Sequence, residues 1–294
     1  MPSGILIVDK PEGWTSMDVC AKLRGVLHEK RVGHAGTLDP MATGVLPVFV
    51  GRATRAVEFA ASSDKEYVAG LLLGTVTDTQ DITGRVLEQR AVSVTPEQVE
   101  DVLAAFRGEL SQTPPMYSAV KINGQKLYTL ARKGRDVERP ARSVTIRSLA
   151  VESRPAPERY VLRVRCSKGT YVRTLCHDVG AALGCGGCMD SLRRTMAAGF
   201  TLDDAVTLDA VLAAPDPAAL LRPIDSLFAH LPALTLSEGG ARRIRCGGAA
   251  DTDAADAEYR LYDPAGAFLA LGRVQGGAAH AVKSFFDPEG GSHP

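Results

Sequence analysis

Residues 33–44 read Gly-His-Ala-Gly-Thr-Leu-Asp-Pro-Met-Ala-Thr-Gly, placing His34, Thr37, Asp39 and Thr43 among three glycines. Polar, glycine-punctuated loops set on a rigid scaffold are where binding and catalytic groups concentrate. No lysine precedes the threonines, so this is not a phosphate loop. The glycine spacing also excludes a dinucleotide fingerprint. A carboxylate such as Asp39 can act as general acid or nucleophile, while Asp-Pro is also ordinary turn chemistry; from the residues alone both readings stand.

Other clusters offer less. The six cysteines (20, 166, 176, 185, 188 and 246) are spread through the chain in a way that fits reduced thiols. Only Cys185-Gly-Gly-Cys188 has ligand spacing, with Cys176-His177 as its sole candidate complement; two small buried thiols in a loop explain it better than zinc, and no metal is expected. Asp78 and Asp81 imitate a calcium loop, but the glycine and a distal glutamate are wrongly spaced.

Net charge is zero, from 34 basic and 34 acidic residues, yet between Lys121 and Arg173 fourteen Lys or Arg face four acids. Such a local excess attracts a phosphate backbone through a salt-dependent term, and it equally describes a solvated face.

The elements that must hold these groups follow from pattern. Gly4–Val8 reads as a strand stopped by Asp9-Lys10-Pro11, and Thr15 or Ser16 caps a helix with Val19, Leu23, Val26 and Leu27 inward. Residues 30–44 form a loop, 45–50 a buried strand, 53–61 a helix and 67–73 a strand, followed by a hairpin around 77–84. Thr95 with Gln98 is a capping box opening a helix with Val99, Val102, Leu103 and Phe106 inside. Tyr117–Ile122 reads as a strand with a turn at Asn123-Gly124, and 125–142 as a basic, flexible finger. Val144–Val151 and Tyr160–Cys166 alternate as strands do, and Tyr171–Leu183 is a helix ended by Gly184.

Strands and helices in this irregular order indicate an α+β class. The Ala- and Pro-rich stretch 212–232 marks a boundary, giving domains over 1–228 and 229–294, the second a small β module with a hairpin at Asp263–Gly266. No apolar run approaches the roughly 20 residues that span a bilayer, and the first residues do not read as a secretion signal, so a cytoplasmic location is expected.

The loop at 33–44 resembles the signature of the bacterial tRNA pseudouridine-55 synthases, the TruB family. Further matches follow in order: Asp9-Lys10-Pro11 with Gly13 and Thr15-Ser16; Lys65-Glu66-Tyr67; Gly74-Thr75 with Thr77-Asp78 and Asp81; Gln112 to Lys121; Cys166 to Leu175; and Leu192-Arg193-Arg194-Thr195 with Gly199. The resemblance covers roughly residues 4–200, and the C-terminal piece is similar, more weakly, to a PUA-type RNA-binding module.

This resemblance implies a catalytic domain on a mixed, largely antiparallel sheet flanked by helices, isomerising uridine to pseudouridine in the T-arm loop of tRNA. It implies no cofactor and no metal; the chain lacks long charged extensions, so a stand-alone enzyme with no required protein partner is expected, as a monomer. Asp39 matches the catalytic aspartate, Arg173 its pairing arginine, and Tyr67 the tyrosine that stacks on the base and assists proton removal. Tyr171 and Leu192 match pocket walls, His34 the residue that replaces the extruded base, and Gly36 and Thr37 the same loop; from their charge, Lys10 and the basic run 121–142 are expected to take the phosphate contacts that position the tRNA. Two alternatives share these features: a non-catalytic tRNA-binding or folding chaperone, and a guide-RNA-dependent synthase working in a ribonucleoprotein.

Overall fold

The structure is a computed structural model in which residues 2–286 are described, apart from 119, 123, 132 and 136. The chain opens with β1 (Gly4–Lys10), α1 (Ser16–Val26), β2 (Val32–His34), β3 (Thr43–Val50), α2 (Val57–Ser62) and β4 (Lys65–Leu73). A hairpin of β5 (Thr75–Thr77) and β6 (Val86–Gln89) leads to α3 (Pro96–Ala105) and β7 (Gly108–Gln112). A small ribbon, β8 (Lys121–Ile122) and β9 (Gln125–Lys126), precedes α4 (Leu127–Ala131), β10 (Arg142–Ala156), β11 (Arg159–Cys166), α5 (Val172–Ala182), β12 (Gly187–Ala197), β13 (Phe200–Thr201), β14 (Val206–Thr207) and α6 (Leu208–Ala213).

Ten of these strands make one mixed, mostly antiparallel sheet with the path β14-β1-β3-β12-β4-β11-β10-β7. Its middle is β12, parallel to β3 on one side and antiparallel to β4 on the other. The expected α+β sheet is therefore present. Its central strand is invisible in the sequence, because Asp190, Ser191, Arg193 and Arg194 break the alternation and a bulge shifts the register between Met189 and Ser191. Cys185 sits in the turn before β12 and Cys188 on the strand itself, both buried.

Capping chemistry reads correctly where it is local. Thr15 and Thr95 each form a reciprocal capping box, with Asp18 and Gln98. Four expectations need correction. Residues 32–34 of the expected loop pair with β3 as β2. The helix at 53–61 begins as a 3-10 turn over Gly51–Ala56. The strand expected at 117–122 is reduced to Lys121–Ile122, and part of the basic finger folds as α4 with Leu127 and Leu130 buried beneath it. Gly124 takes the left-handed φ of +79° that a tight turn requires, while Asn123 and Arg132, like the side chains of Lys121 and Lys126, lie outside the described residues.

A second, five-stranded sheet follows: β15 (Ala233–Thr235), α7 (Glu238–Arg245), β16 (Ala250–Asp251), β17 (Glu258–Tyr262), β18 (Phe268–Gln275) and β19 (Ala278–Ser284), in the order β15-β17-β18-β19-β16. It meets the first sheet through apolar contact. Phe59 of α2 stands edge-on to Phe228, with centroids 5.4 Å apart, and Phe228 touches Phe285 at 6.0 Å. Lys283 pairs with Glu58 at 2.7 Å, and Arg55 donates to the Ser284 carbonyl. Ile5, Val45, Phe49, Leu271 and Phe285 belong to one continuous cluster, so burial does not stop between the sheets.

Gly44, where the signature loop enters β3, has φ +101°, and a Cβ there would lie 2.2 Å from the Arg194 carbonyl oxygen of the neighbouring strand. Gly44→Ala is expected to cost about 2 kcal/mol or more, from the left-handed backbone plus the clash. Urea denaturation of the variant checks this.

Candidate active site

The loop that carries Asp39 is fixed from three directions. The Leu38 N–H donates to Ser16 Oγ at 2.9 Å, and that hydroxyl donates back to the Leu38 carbonyl at 3.2 Å. Gly13 N–H and Lys10 Nζ donate to the Pro40 carbonyl at 2.8 and 3.3 Å, and Arg194 Nη2 to the Gly36 carbonyl at 3.1 Å. Leu38 and Ala42 face the same core as Tyr67. The glycine-punctuated loop is thus a rigid mount for Asp39.

Asp39 Oδ2 lies 2.9 Å from Arg173 Nε. Arg173 comes from the first turn of α5 and is 5% exposed, whereas the Asp39 side chain keeps 37% of its surface. The guanidinium is fully committed: Nη1 donates to the Thr79 carbonyl (3.0 Å) and faces Asp81 Oδ2 (3.4 Å), and Nη2 donates to the Tyr117 carbonyl (2.8 Å). Asp81 is itself buried and accepts from the Thr83 N–H (3.0 Å) and from the hydroxyls of Thr79 (2.8 Å) and Thr83 (2.6 Å). One arginine therefore serves two carboxylates. Asp81, read earlier as turn chemistry, is the other anchor of Arg173; its place beside threonines 79 and 83 was the available signal. Loss of solvent pushes the Asp39 carboxyl above the usual carboxylate range, Arg173 pulls it back, and Asp81 adds to the rise.

These groups line a cleft of about 260 Å³ whose walls include Gly36, Thr37, Leu38, Tyr67, Ser118, Lys168, Tyr171, Leu192 and Arg194. Tyr67 projects from β4 and Leu192 from β12; both are buried. Tyr171, the N-cap of α5, is held through its backbone, its N–H donating to Gln112 Oε1 at 2.7 Å and its carbonyl accepting from Gln112 Nε2 at 3.1 Å. Burial raises the Tyr67 phenol above its ordinary value, and the neighbouring Arg194 works against that rise. Arg194 is 1% exposed, gives Nε to the Val45 carbonyl (2.7 Å), and meets no carboxylate within ion-pair distance among the described residues. Its charge is felt in the cleft.

The remaining candidates divide. His34 sits on β2 outside the cleft lining, half-buried, with Nδ1 buried and unpartnered; burial lowers its pKa. Lys10 departs from the expected phosphate contact. It is fully buried, and Nζ donates to the carbonyls of Pro11 (2.9 Å), Trp14 (2.6 Å) and Pro40 (3.3 Å), so the ammonium has no face for a backbone phosphate. It is a clamp on the Asp39 loop. The wider basic stretch 121–173 is also less free than its count implies, since Arg147, Arg159 and Arg163 pair with Asp64, Asp190 and Glu66 from outside it. Among the described residues no three His, Cys, Asp or Glu side chains gather as a metal site.

Desolvation holds Lys10 at about 8 against 10.5. Because the folded chain then binds fewer protons than the unfolded one between those values, stability tied to Lys10 rises with pH through that window. Wild type is expected to gain on Lys10→Met when urea denaturation is compared from pH 7.5 to 10.5.

The family model for TruB family pseudouridylate synthase (N terminal domain) matches residues 24–172, and that for the tRNA pseudouridylate synthase B C-terminal domain matches 173–229. The chain is 45% identical over 278 residues to tRNA pseudouridine synthase B of Azoarcus sp. (strain BH72), covering 94% of this chain and 92% of that one. It is 42% identical over 295 residues to tRNA pseudouridine synthase B of Ruegeria pomeroyi, covering 98% and 97%. Among solved structures, a Cbf5-Nop10-Gar1 complex superposes with a TM-score of 0.73 at 26% identity, over 97% of this chain and 86% of the other. An H/ACA RNP bound to a substrate RNA containing 2'-deoxyuridine gives 0.72 at 23%, again over 97% and 86%, which is a likeness of fold. With the Asp39 loop, Tyr67 and Arg173 converging on one cleft and both family models meeting end to end across the chain, this protein belongs to the TruB family of pseudouridylate synthases.

Proposed function

We propose that the chain isomerises uridine to pseudouridine in tRNA, at position 55 of the T-arm loop. The observation that carries this is the Asp39–Arg173 pair at 2.9 Å in a cleft walled by two tyrosines and two leucines, which can take one extruded pyrimidine nucleotide. In the reaction the C1′–N1 bond breaks, the base turns, C1′ joins C5, N1 is protonated and the C5 proton leaves. Atoms balance without a cofactor. Addition of the carboxylate to C1′, its addition to C6, and removal of the C2′ proton all require Asp39 ionised, and Arg173 is the group that keeps it so in a partly dry site.

Tyr67 takes the stacking face and the assistance to proton removal, Tyr171 and Leu192 the walls, Gly36 and Thr37 the lip of the loop. A uridine in a folded loop must leave its stack to reach this depth, and His34 on the neighbouring strand takes the role of filling the space. Exposed Lys168 in the cleft rim, with Lys133, Arg135 and Arg142 on the basic segment, gives the RNA backbone its contacts. The C-terminal β unit, with Arg242, Arg243 and Arg245 on α7, adds a PUA-like RNA surface. Relatives named as tRNA pseudouridine synthases match at 42 to 45% identity over nearly the whole chain, against 23 to 26% for the ribonucleoprotein neighbours, and this favours a stand-alone cytoplasmic enzyme over the guide-dependent reading.

Asp39→Asn is expected to abolish tritium release from a T-arm stem-loop carrying C5-labelled uridine while leaving affinity for that RNA within about threefold, because the carboxylate supplies chemistry rather than binding. Release by the variant would overturn the assignment; tight binding without release by wild type would favour the chaperone or the guide-dependent reading.

Activity is expected to fall on the acid side at a pH above the usual carboxylate range, since Asp39 must lose its proton from a raised value. In Arg173→Met the counter-charge is gone while Asp81 stays, so that limb moves up by about one pH unit or more. The pH profile of kcat for both proteins measures it.

A further inference from the structure

Among the buried side-chain atoms that lack a hydrogen-bond partner, one belongs to the cleft lining: the Ser118 hydroxyl. The residue is 5% exposed, so water does not compensate it, and a buried unpaired hydroxyl costs roughly 1–3 kcal/mol. Four other polar side chains of the lining already have partners. Arg173 is divided among Asp39, Asp81 and two carbonyls; Arg194 is spent on Val45 and Gly36; Lys65 donates to the carbonyls of Ala61 and Ser63; and Thr170 donates to Ser167.

Ser118 is also placed with care. The preceding carbonyl, of Tyr117, accepts from Arg173 Nη2, the arginine that holds Asp39. The carbonyl of Ser118 itself accepts from the Tyr128 N–H of α4 at 3.1 Å, and α4 is anchored by buried Leu127 and Leu130. The segment is pinned on both sides, and the residue lines the same cleft as Tyr67 and Tyr171.

We propose that Ser118 is a positioning residue whose hydroxyl hydrogen-bonds the polar edge of the extruded uracil, fixing the base against Tyr67 and Tyr171 above Asp39. This rests on the reading of the cleft as a uridine seat. The apolar walls hold the faces of a planar ring; its O2, N3–H and O4 still need in-plane partners. A hydroxyl can donate to a carbonyl oxygen or accept from N3–H, and this one has neither role filled within the protein.

The test uses the full chain as wild type and Ser118→Ala, with a fluorescent T-arm stem-loop carrying uridine at the target position and the same loop abasic there. The variant is expected to bind the uridine loop roughly 3- to 10-fold more weakly, the size of one neutral hydrogen bond, and the abasic loop as well as wild type does. Its melting temperature without RNA stays level or rises, because an unpaired buried hydroxyl has been removed. Equal weakening on both loops, no weakening, or a lower melting temperature would overturn the proposal. Tritium release by wild type separates the two ideas: release without a Ser118 effect removes only this contact, and absence of release removes the uridine-isomerase reading while the binding pair still reports on Ser118.

Discussion

A buried guanidinium shared between two carboxylates organises this molecule's working face. Arg173 is too poorly solvated to stand alone, and its fork reaches Asp39 with one nitrogen and Asp81 with another while the remaining donors close two backbone carbonyls. The arrangement joins four stretches of chain: the signature loop, the Thr77–Gly84 turn, the segment before α4, and α5. Removing one partner leaves a charge where water cannot follow, so each constrains the others. Asp39 is consequently the weakest-held member, with a third of its side chain open to the cleft, and its ionisation is a compromise between desolvation and the arginine beside it.

Arg194 shows the same economy in a harsher form. It stands in the middle of the central strand, paired in register with Gly44 and Tyr67, and satisfies its donors with carbonyls instead of acids. A cation with no buried anion raises the potential of the whole pocket: it works against protonation of His34, Lys10 and Lys65 and favours ionisation of Tyr67. A well-packed apolar residue there would suit the sheet better, and it would leave the Asp39 loop without one of its three anchors.

What could be read in the sequence follows from how local each constraint is. Capping boxes at Thr15 and Thr95, the turn at Asp78–Gly84 and the alternation that marks β10 and β11 are short-range patterns and are legible, although β10 runs beyond the expected 144–151 to Arg142–Ala156 through shifts of register. β12 is not, because Arg193, Arg194 and Thr195 within it answer to partners more than a hundred positions away. Lys10 misleads for the same reason: a lysine beside a proline turn looks like a surface cation until the Pro40 loop folds over it. The cleft residues were legible through family motif; Asp81 and Gln112 lie within quoted motifs, but their positions behind Arg173 and Tyr171 appear only when the loops come together.

The short helix α2 carries one more implication. Its Phe59 fills the seam with Phe228, while Ala61, at its other end, lines the cleft and lends its carbonyl to Lys65. Six residues thus form a party wall between two rooms with separate tenants. Drift in the aromatic seam is felt at the pocket, and drift at the pocket is felt in the seam. The catalytic sheet and the C-terminal β unit are therefore obliged to evolve together, and a graft of one onto a foreign copy of the other succeeds only if α2 travels with both sets of neighbours.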